Sequence, residues 1–277
     1  IDVMLMIVAV ISAASCMQAA GGLDYMVKLA ERMLRKHPSR VTLLSPLVTY
    51  LFTFVAGTGH IAYSVLPVIA EVARETKIRP ERPLGIAVIA SQQAITASPI
   101  SAATVALLGM LAGFDISLFD ILKISVPATL IGVLVGAFCS MKVGKELEDD
   151  PEYQRRLKEG VIENRLVETA SSFDIRKARI SVGIFLLATF LIVLFGSVDA
   201  LRPVFQSDGK NVPLDMPSII EIVMLSTSAL ILLVCRIDGI KAVQGSIFSA
   251  GMQAVIAIFG IAWMGDTFIA GNLSSLT

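Results

Sequence analysis

The thirty residues VTLLSPLVTYLFTFVAGTGHIAYSVLPVIA, 41–70, contain no Asp, Glu, Lys or Arg, yet basic residues flank them on both sides. Lys28, Arg32, Arg35, Lys36 and Arg40 precede the stretch, and Arg74, Lys77, Arg79 and Arg82 follow it. Short loops rich in Lys and Arg stay on the cytoplasmic side of a membrane. A single crossing would put the two basic flanks on opposite sides, so the charges argue against one. Gly57, Thr58 and Gly59 stand near the middle, where two glycines around a threonine end a helix and allow a tight reversal. The stretch therefore predicts a re-entrant hairpin over 41–72. Its arms, about 12 to 16 residues or roughly 18 to 24 Å long, stop short of crossing a ~30 Å hydrocarbon core. Irregular backbone at that depth is tolerated only where protein buries it or where it lines a wet cavity. The tip is accordingly a candidate site.

The rest of the chain has the same character. Its 277 residues are 55% hydrophobic and 17% charged, with a mean hydropathy of +0.77, against about 25% charged for a soluble domain. That composition excludes an ordinary soluble enzyme. The 23 Lys and Arg balance 23 Asp and Glu, leaving no basic excess to hold nucleic acid. Further charge-free runs cover Val3 to Leu23, Leu84 to Phe114, Ile124 to Met141, Ile180 to Val198 and Ala242 to Gly265, each about as long as a bilayer span or longer. The pattern predicts an all-α polytopic membrane protein, multi-pass in a lipid bilayer. Residues 1–140 form a first bundle, 141–179 a cytoplasmic loop with nine Lys or Arg and nine Asp or Glu, and 180–277 the start of a second bundle. The chain opens inside one apolar run and closes just beyond another, which reads as a piece incomplete at both ends. Cys16, Cys139 and Cys235 lie in or beside apolar segments; an odd number supports no disulfide framework, and packing is the expected role. Gly132 and Gly136, spaced GxxxG, predict close helix packing.

The run Leu84 to Phe114 would be roughly 46 Å long as one helix. Pro99 at its middle removes a backbone donor and biases Ser98 away from the helical region, so a discontinuous helix is expected over 84–114. Two broken elements in succession fit the secondary-transporter pattern, in which half-helix N-termini face anionic groups near the bilayer midplane. Such a site holds a carboxylate without Lys or Arg. The substrate-binding candidates are Gly57, Thr58, Gly59 and His60 at the tip, with Thr96, Ser98, Pro99 and Ser101 at the break. Gln92 and Gln93, one to two turns earlier, are secondary candidates. Back-bonding hydroxyls and a simple proline kink are the competing account of the break, and core packing that of His60. The sequence contains no phosphate loop, HExxH, CxxC or GxSxG pattern, so neither catalysis nor a metal or other cofactor is indicated.

Several runs carry a resemblance: AGGLDYMVKLAERMLRKHP (20–38), AGTGHIAYSVLPVIAEVA (56–73), ITASPISAATV (95–105) and IAWMGDTF (261–268). With RPERPL (79–84) and DDPEYQRRLKEG (149–160), they resemble the bacterial anaerobic C4-dicarboxylate transporters, the Dcu family, over essentially the whole chain. The resemblance implies exchange of fumarate, malate or aspartate for succinate across the bacterial inner membrane in anaerobic metabolism. It also implies a fold of two inverted repeats, each with a re-entrant hairpin and a broken helix. Gly57, Thr58 and Gly59 then correspond to the first tip, and Ser98, Pro99 and Ser101 to the first broken helix. By the same comparison the chain lacks about one or two helices at the front and the second hairpin and second broken helix at the back. Competing readings are a channel or a sensor partner for organic anions, with the 141–179 loop docking a sensor kinase, and a homo-oligomer is open on either reading.

Overall fold

The computed structural model describes residues 2–111, 114, 116–159, 173–207 and 210–276. Among these, twelve α-helices follow one another: α1 (Asp2–Ala19), α2 (Gly22–Lys36), α3 (Val41–Ala56), α4 (His60–Glu75), α5 (Glu81–Ala97), α6 (Ala102–Met110), α7 (Leu118–Ser140), α8 (Pro151–Lys158), α9 (Ile175–Ser197), α10 (Met216–Cys235), α11 (Gly239–Val243) and α12 (Ser246–Leu276). A small antiparallel pair, β1 (Val204–Ser207) with β2 (Lys210–Pro213), joins α9 to α10. By length and composition six stretches are able to cross a membrane, or seven if the bent pair α1–α2 counts as one. The molecule is an all-α polytopic membrane protein. Of the polar segment 141–179, residues 160–172 lie outside the described residues.

The first apolar run does not continue to Leu23 as the charge pattern suggested. Gly21 adopts the left-handed conformation (φ +81°), which glycine enters without a Cβ penalty, and the chain bends by 72° into α2. Nor is the stretch from residue 24 a loop. Leu23, Met26, Val27, Ala30 and Leu34 are buried on one face of α2, the i, i+3, i+4, i+7 spacing of an amphipathic helix.

α3 and α4 are antiparallel arms of sixteen residues each around Gly57–Gly59, or about 24 Å per arm at 1.5 Å per residue. Both outer ends meet at one face of the molecule, where Arg35 of α2 holds Glu71 and Glu75 of α4, and Glu31 of its own helix, at 2.9 Å. α5 then runs parallel to α3 in a fixed register. The Ser45 hydroxyl donates to the Pro83 carbonyl (3.1 Å), the Thr49 hydroxyl to the Ala87 carbonyl (3.0 Å), and Thr53 shares a hydrogen bond with Ser91 (2.9 Å), each pair 38 residues apart. All four of these hydroxyl residues are buried. Their four-residue spacing on each helix brings them onto one face, so a single neutral ladder locks two parallel helices level with each other.

The foot of α5 is held by charge instead. Arg82, 7% exposed, donates from Nε to the Val143 carbonyl (2.7 Å), from Nη2 to the Gly144 carbonyl (2.9 Å) and from Nη1 to Glu146 (2.8 Å). Arg79 pairs with Asp150 at 2.8 Å, and Lys77 with Glu148. The Arg79 side chain lies across Gly144, whose φ of +74° completes the turn. A strap of residues 143–150 is thereby fastened beneath α5.

On the other side of the molecule α1 packs against α10, α9 and α12, burying Met6, Met17, Phe185, Ile220 and Met224. α12 lies antiparallel to α1: Gln18 meets Ser246 and Ile247, while Ile7, Ile11 and Val255 form one cluster. Two packing expectations divide. Gly136 leaves room for Ile86 of α5, whereas Gly132 faces open space, so only half of the GxxxG pair packs. Cys16 and Cys235 are buried but Cys139 is exposed, because it lies on the outward face of α7.

Candidate functional site at the two helix breaks

Because α3 and α5 run in parallel register, their ends lie together. α3 ends at Gly57 in the left-handed conformation (φ +67°), and a Cβ there would come within 2.9 Å of the Ile100 carbonyl oxygen. α5 ends at Ala97, Ser98 is extended (φ −75°, ψ 130°), and α6 restarts at Ala102. Pro99 and Ile100, both buried, fill the gap beneath the tip. The break is closed by its own hydroxyls. Ser98 donates to the Phe54 carbonyl at 2.6 Å, and Ser101 caps α6 by accepting from the Thr104 N–H at 3.1 Å while donating to the Thr104 hydroxyl. The Thr104 hydroxyl donates to the Thr96 carbonyl, and the Thr96 hydroxyl to the Gln93 carbonyl at 2.8 Å.

A cavity of about 280 Å³ lies at the tip, at the lower edge of the ~300–1,000 Å³ usual for small-molecule sites. Gly57, Thr58, Gly59 and Gln92 line it, whereas Thr96, Ser98, Pro99, Ser101 and Gln93 do not. The structure therefore brings the tip and one glutamine to the same space and assigns the hydroxyls of the break to holding the fold. His60 opens α4, and its side chain lies outside the described part of the structure. The Gln92 amide has no hydrogen-bond partner among the described residues, and its Nε2 would sit 3.4 Å from a Cβ at Gly59.

Among the described residues, no Asp, Glu, Lys or Arg lines the cavity. Its positive character comes from backbone: α4 begins beside Gly59, and Ala102, the first residue of α6, is itself in the lining. The first N–H groups of a helix lack internal partners and carry a partial positive charge, which suits a carboxylate without the cost of burying a cation. The opposite wall is apolar and comes from two helices that the sequence reading left out of the site, Ile7, Val10, Ile11 and Ala14 of α1 and Ile247, Ala250, Gly251 and Ala254 of α12. Each set follows the i, i+3, i+4, i+7 spacing of one helix face, a visible signal, but nothing local tells which face meets a tip that is some 45 to 50 residues from α1 and some 190 from α12 in sequence.

The anaerobic C4-dicarboxylate membrane transporter family model matches residues 1–277. The chain is 43% identical to the C4-dicarboxylate transporter DcuA of Escherichia coli strain K12 over 98% of its own length and 62% of that protein. It is 40% identical to DcuA of Helicobacter pylori (99% and 61%) and 39% identical to the anaerobic C4-dicarboxylate transporter DcuB of Escherichia coli O6:H1 (100% and 63%). The chain thus spans about three fifths of the length of these relatives. No solved structure matches. A family match from the first residue to the last, joined to relatives near 40% identity, means that this chain belongs to the anaerobic C4-dicarboxylate membrane transporters.

Proposed function

We propose that the protein to which this chain belongs is a secondary transporter that exchanges the C4-dicarboxylates fumarate, malate, aspartate and succinate across the bacterial inner membrane. The observation that carries this reading is the meeting of two helix breaks at one small cavity whose polar lining, among the described residues, is neutral. A carboxylate enters beside the N-termini of α4 and α6, takes hydrogen bonds from the backbone and Thr58 at the tip and from the Gln92 amide, and meets no fixed charge that would hold it too tightly to leave. The outer ends of α3 and α4 share the basic face of the molecule, which we assign to the cytoplasm, so the hairpin enters and leaves the bilayer on one side. Ser98, Pro99, Ser101 and Thr96 shape the break against which the tip rests.

The test is counterflow of labelled succinate in proteoliposomes carrying the full-length protein to which this chain belongs. Unlabelled fumarate inside should drive transient accumulation of label, and single replacement of Gln92 by Leu should raise the half-saturating concentration roughly tenfold, the value of one hydrogen bond to a charged group. Uptake that is linear in concentration and indifferent to internal dicarboxylate would show a channel instead.

A further inference from the structure

With α1 across the bilayer, the 72° bend at Gly21 lays α2 closer to the membrane plane than to its normal. It lies at the level where Arg35 holds the outer end of the hairpin through Glu71 and Glu75, with its inner face packed on α4 and α9. Its two flanks differ. One carries Glu31 and Arg35 and is committed to ion pairs. On the other, Leu29, Arg32, Met33 and Lys36 follow the i, i+3, i+4, i+7 spacing of a single stripe. Leu29 is 40% and Met33 39% exposed, and Arg32 and Lys36 are exposed beside them. Among the described residues neither cation has an acidic partner, and Arg40, four residues on at the foot of α3, is likewise exposed and unpaired. Lys28, by contrast, is already engaged, 4.4 Å over the Phe173 ring.

We propose that this stripe of α2 is a docking surface for anionic phospholipid, with Leu29 and Met33 against the acyl chains and Arg32, Lys36 and Arg40 on the headgroup phosphates. Hydrocarbon alone would not take the cations, and water alone would leave two bulky apolar side chains without a partner. The boundary between them suits both, because long basic stems carry their charge up to the headgroups while the apolar side chains stay below. The stripe holds no acid, so its charge matches an anionic lipid rather than a zwitterionic one, by about fivefold for each basic residue at such a surface. Arg35, on the other flank, grips the hairpin. The lipid contact thus moors α2, and through it the base of the hairpin, to the leaflet on the basic face. The inference stands apart from what the protein carries.

The experiment places a tryptophan on the stripe, Met33→Trp, in the full-length protein to which this chain belongs, with every other tryptophan replaced by phenylalanine. The protein is reconstituted in phosphatidylcholine with phosphatidylglycerol as the minor lipid, and one or the other carries bromines on its acyl chains to quench the reporter. Brominated phosphatidylglycerol should quench roughly fivefold beyond its share of the lipid. Joint replacement Arg32→Gln and Lys36→Gln should remove that preference while brominated phosphatidylcholine quenches more in its place. Salt of about 1 M, which shortens the Debye length to about 3 Å, should weaken the preference without any change to the stripe, and this arm decides if the glutamine variant fails to insert. Leu29→Trp reports from the same stripe should Met33→Trp not be tolerated. Quenching by the two lipids in proportion to their abundance would overturn the anionic-lipid surface. Absence of quenching by either would place water or protein against the stripe and overturn it as well.

Discussion

α5 is held at its two ends by opposite chemistries. Along its length its backbone carbonyls accept from uncharged hydroxyls of the parallel α3, and at its break the Ser98 hydroxyl donates back to a carbonyl of α3, in a layer of buried residues. At its foot, three cations in six residues fasten a strap of carboxylates and carbonyls. Burying a charge without full compensation costs several kcal/mol, whereas a hydroxyl bonded to a carbonyl costs little to bury. The ladder thus places α5 level with α3 at hydrocarbon depth, and the strap fixes the same helix where water reaches.

The most forceful way to break the neutral end is Gly57→Val. A β-branched residue in the left-handed region costs roughly 1–2 kcal/mol, and overpacking against Ile100 adds about 1–3 kcal/mol. Thermal unfolding in detergent should fall by the largest amount of any variant here, and counterflow should be lost. Next is Arg82→Ala at the charged end, expected to cost about 1.5–3 kcal/mol because it strips a buried fork of charge-assisted hydrogen bonds. Arg82→Lys should recover little of this, since an ammonium lacks the fork that reaches two carbonyls and a carboxylate together. If Arg82→Ala were as mild as a surface change, the strap would not be what holds α5.

Smaller effects sharpen the contrast. Thr49→Val keeps the shape of a ladder rung and should cost only roughly 0.6 kcal/mol, the average for an interhelical hydrogen bond in a membrane. A double-mutant cycle on Thr53 and Ser91 should return a coupling of similar size. Lys77→Ala removes a pair exposed at 71% and 62% and should change stability by less than about 0.5 kcal/mol. Lowering the pH should loosen the strap and leave the neutral ladder untouched. The backbone N–H of Tyr153, with that of Glu152 and the Arg79 guanidinium, holds the Asp150 carboxyl below its ordinary range, and Arg155 with Arg156 brings Glu152 down to about 2. A depressed carboxyl contributes above its ordinary pKa, near 4, and ceases to contribute as pH falls through the depressed value. Protease sensitivity of 143–159 should therefore stay flat from pH 7 to 5 and rise only below about pH 4.

How much of this was legible in the sequence depends on range. The reversal at Gly57–Gly59 and the stop at Ser98–Pro99 are local, and both helix ends fall there because glycine and proline act on their own few residues. The helix α2 is equally legible in the spacing of Leu23, Met26, Val27, Ala30 and Leu34, although its many charges also read as a basic flank outside the membrane. The small β pair at 204–213 has no strong alternation to announce it. Ser98 shows the limit best. Its position at the break was readable from the neighbouring proline, but its partner, the Phe54 carbonyl 44 residues earlier, was not. The site suffered the same limit, since the α1 and α12 walls depend on contacts between distant helices.

The grip of Gln18 on the start of α12 joins residues 228 and 229 positions apart, and that separation orders the assembly of the protein in time. At about 5–20 residues per second of synthesis, α1 waits roughly 11–46 s for α12 to emerge. The ladder between α3 and α5, with partners 38 residues apart, is complete within about 2–8 s at the same rate. The tip and the break are therefore seated against each other well before the α12 part of the wall across from them exists, and the cavity is enclosed from the α12 side late in synthesis.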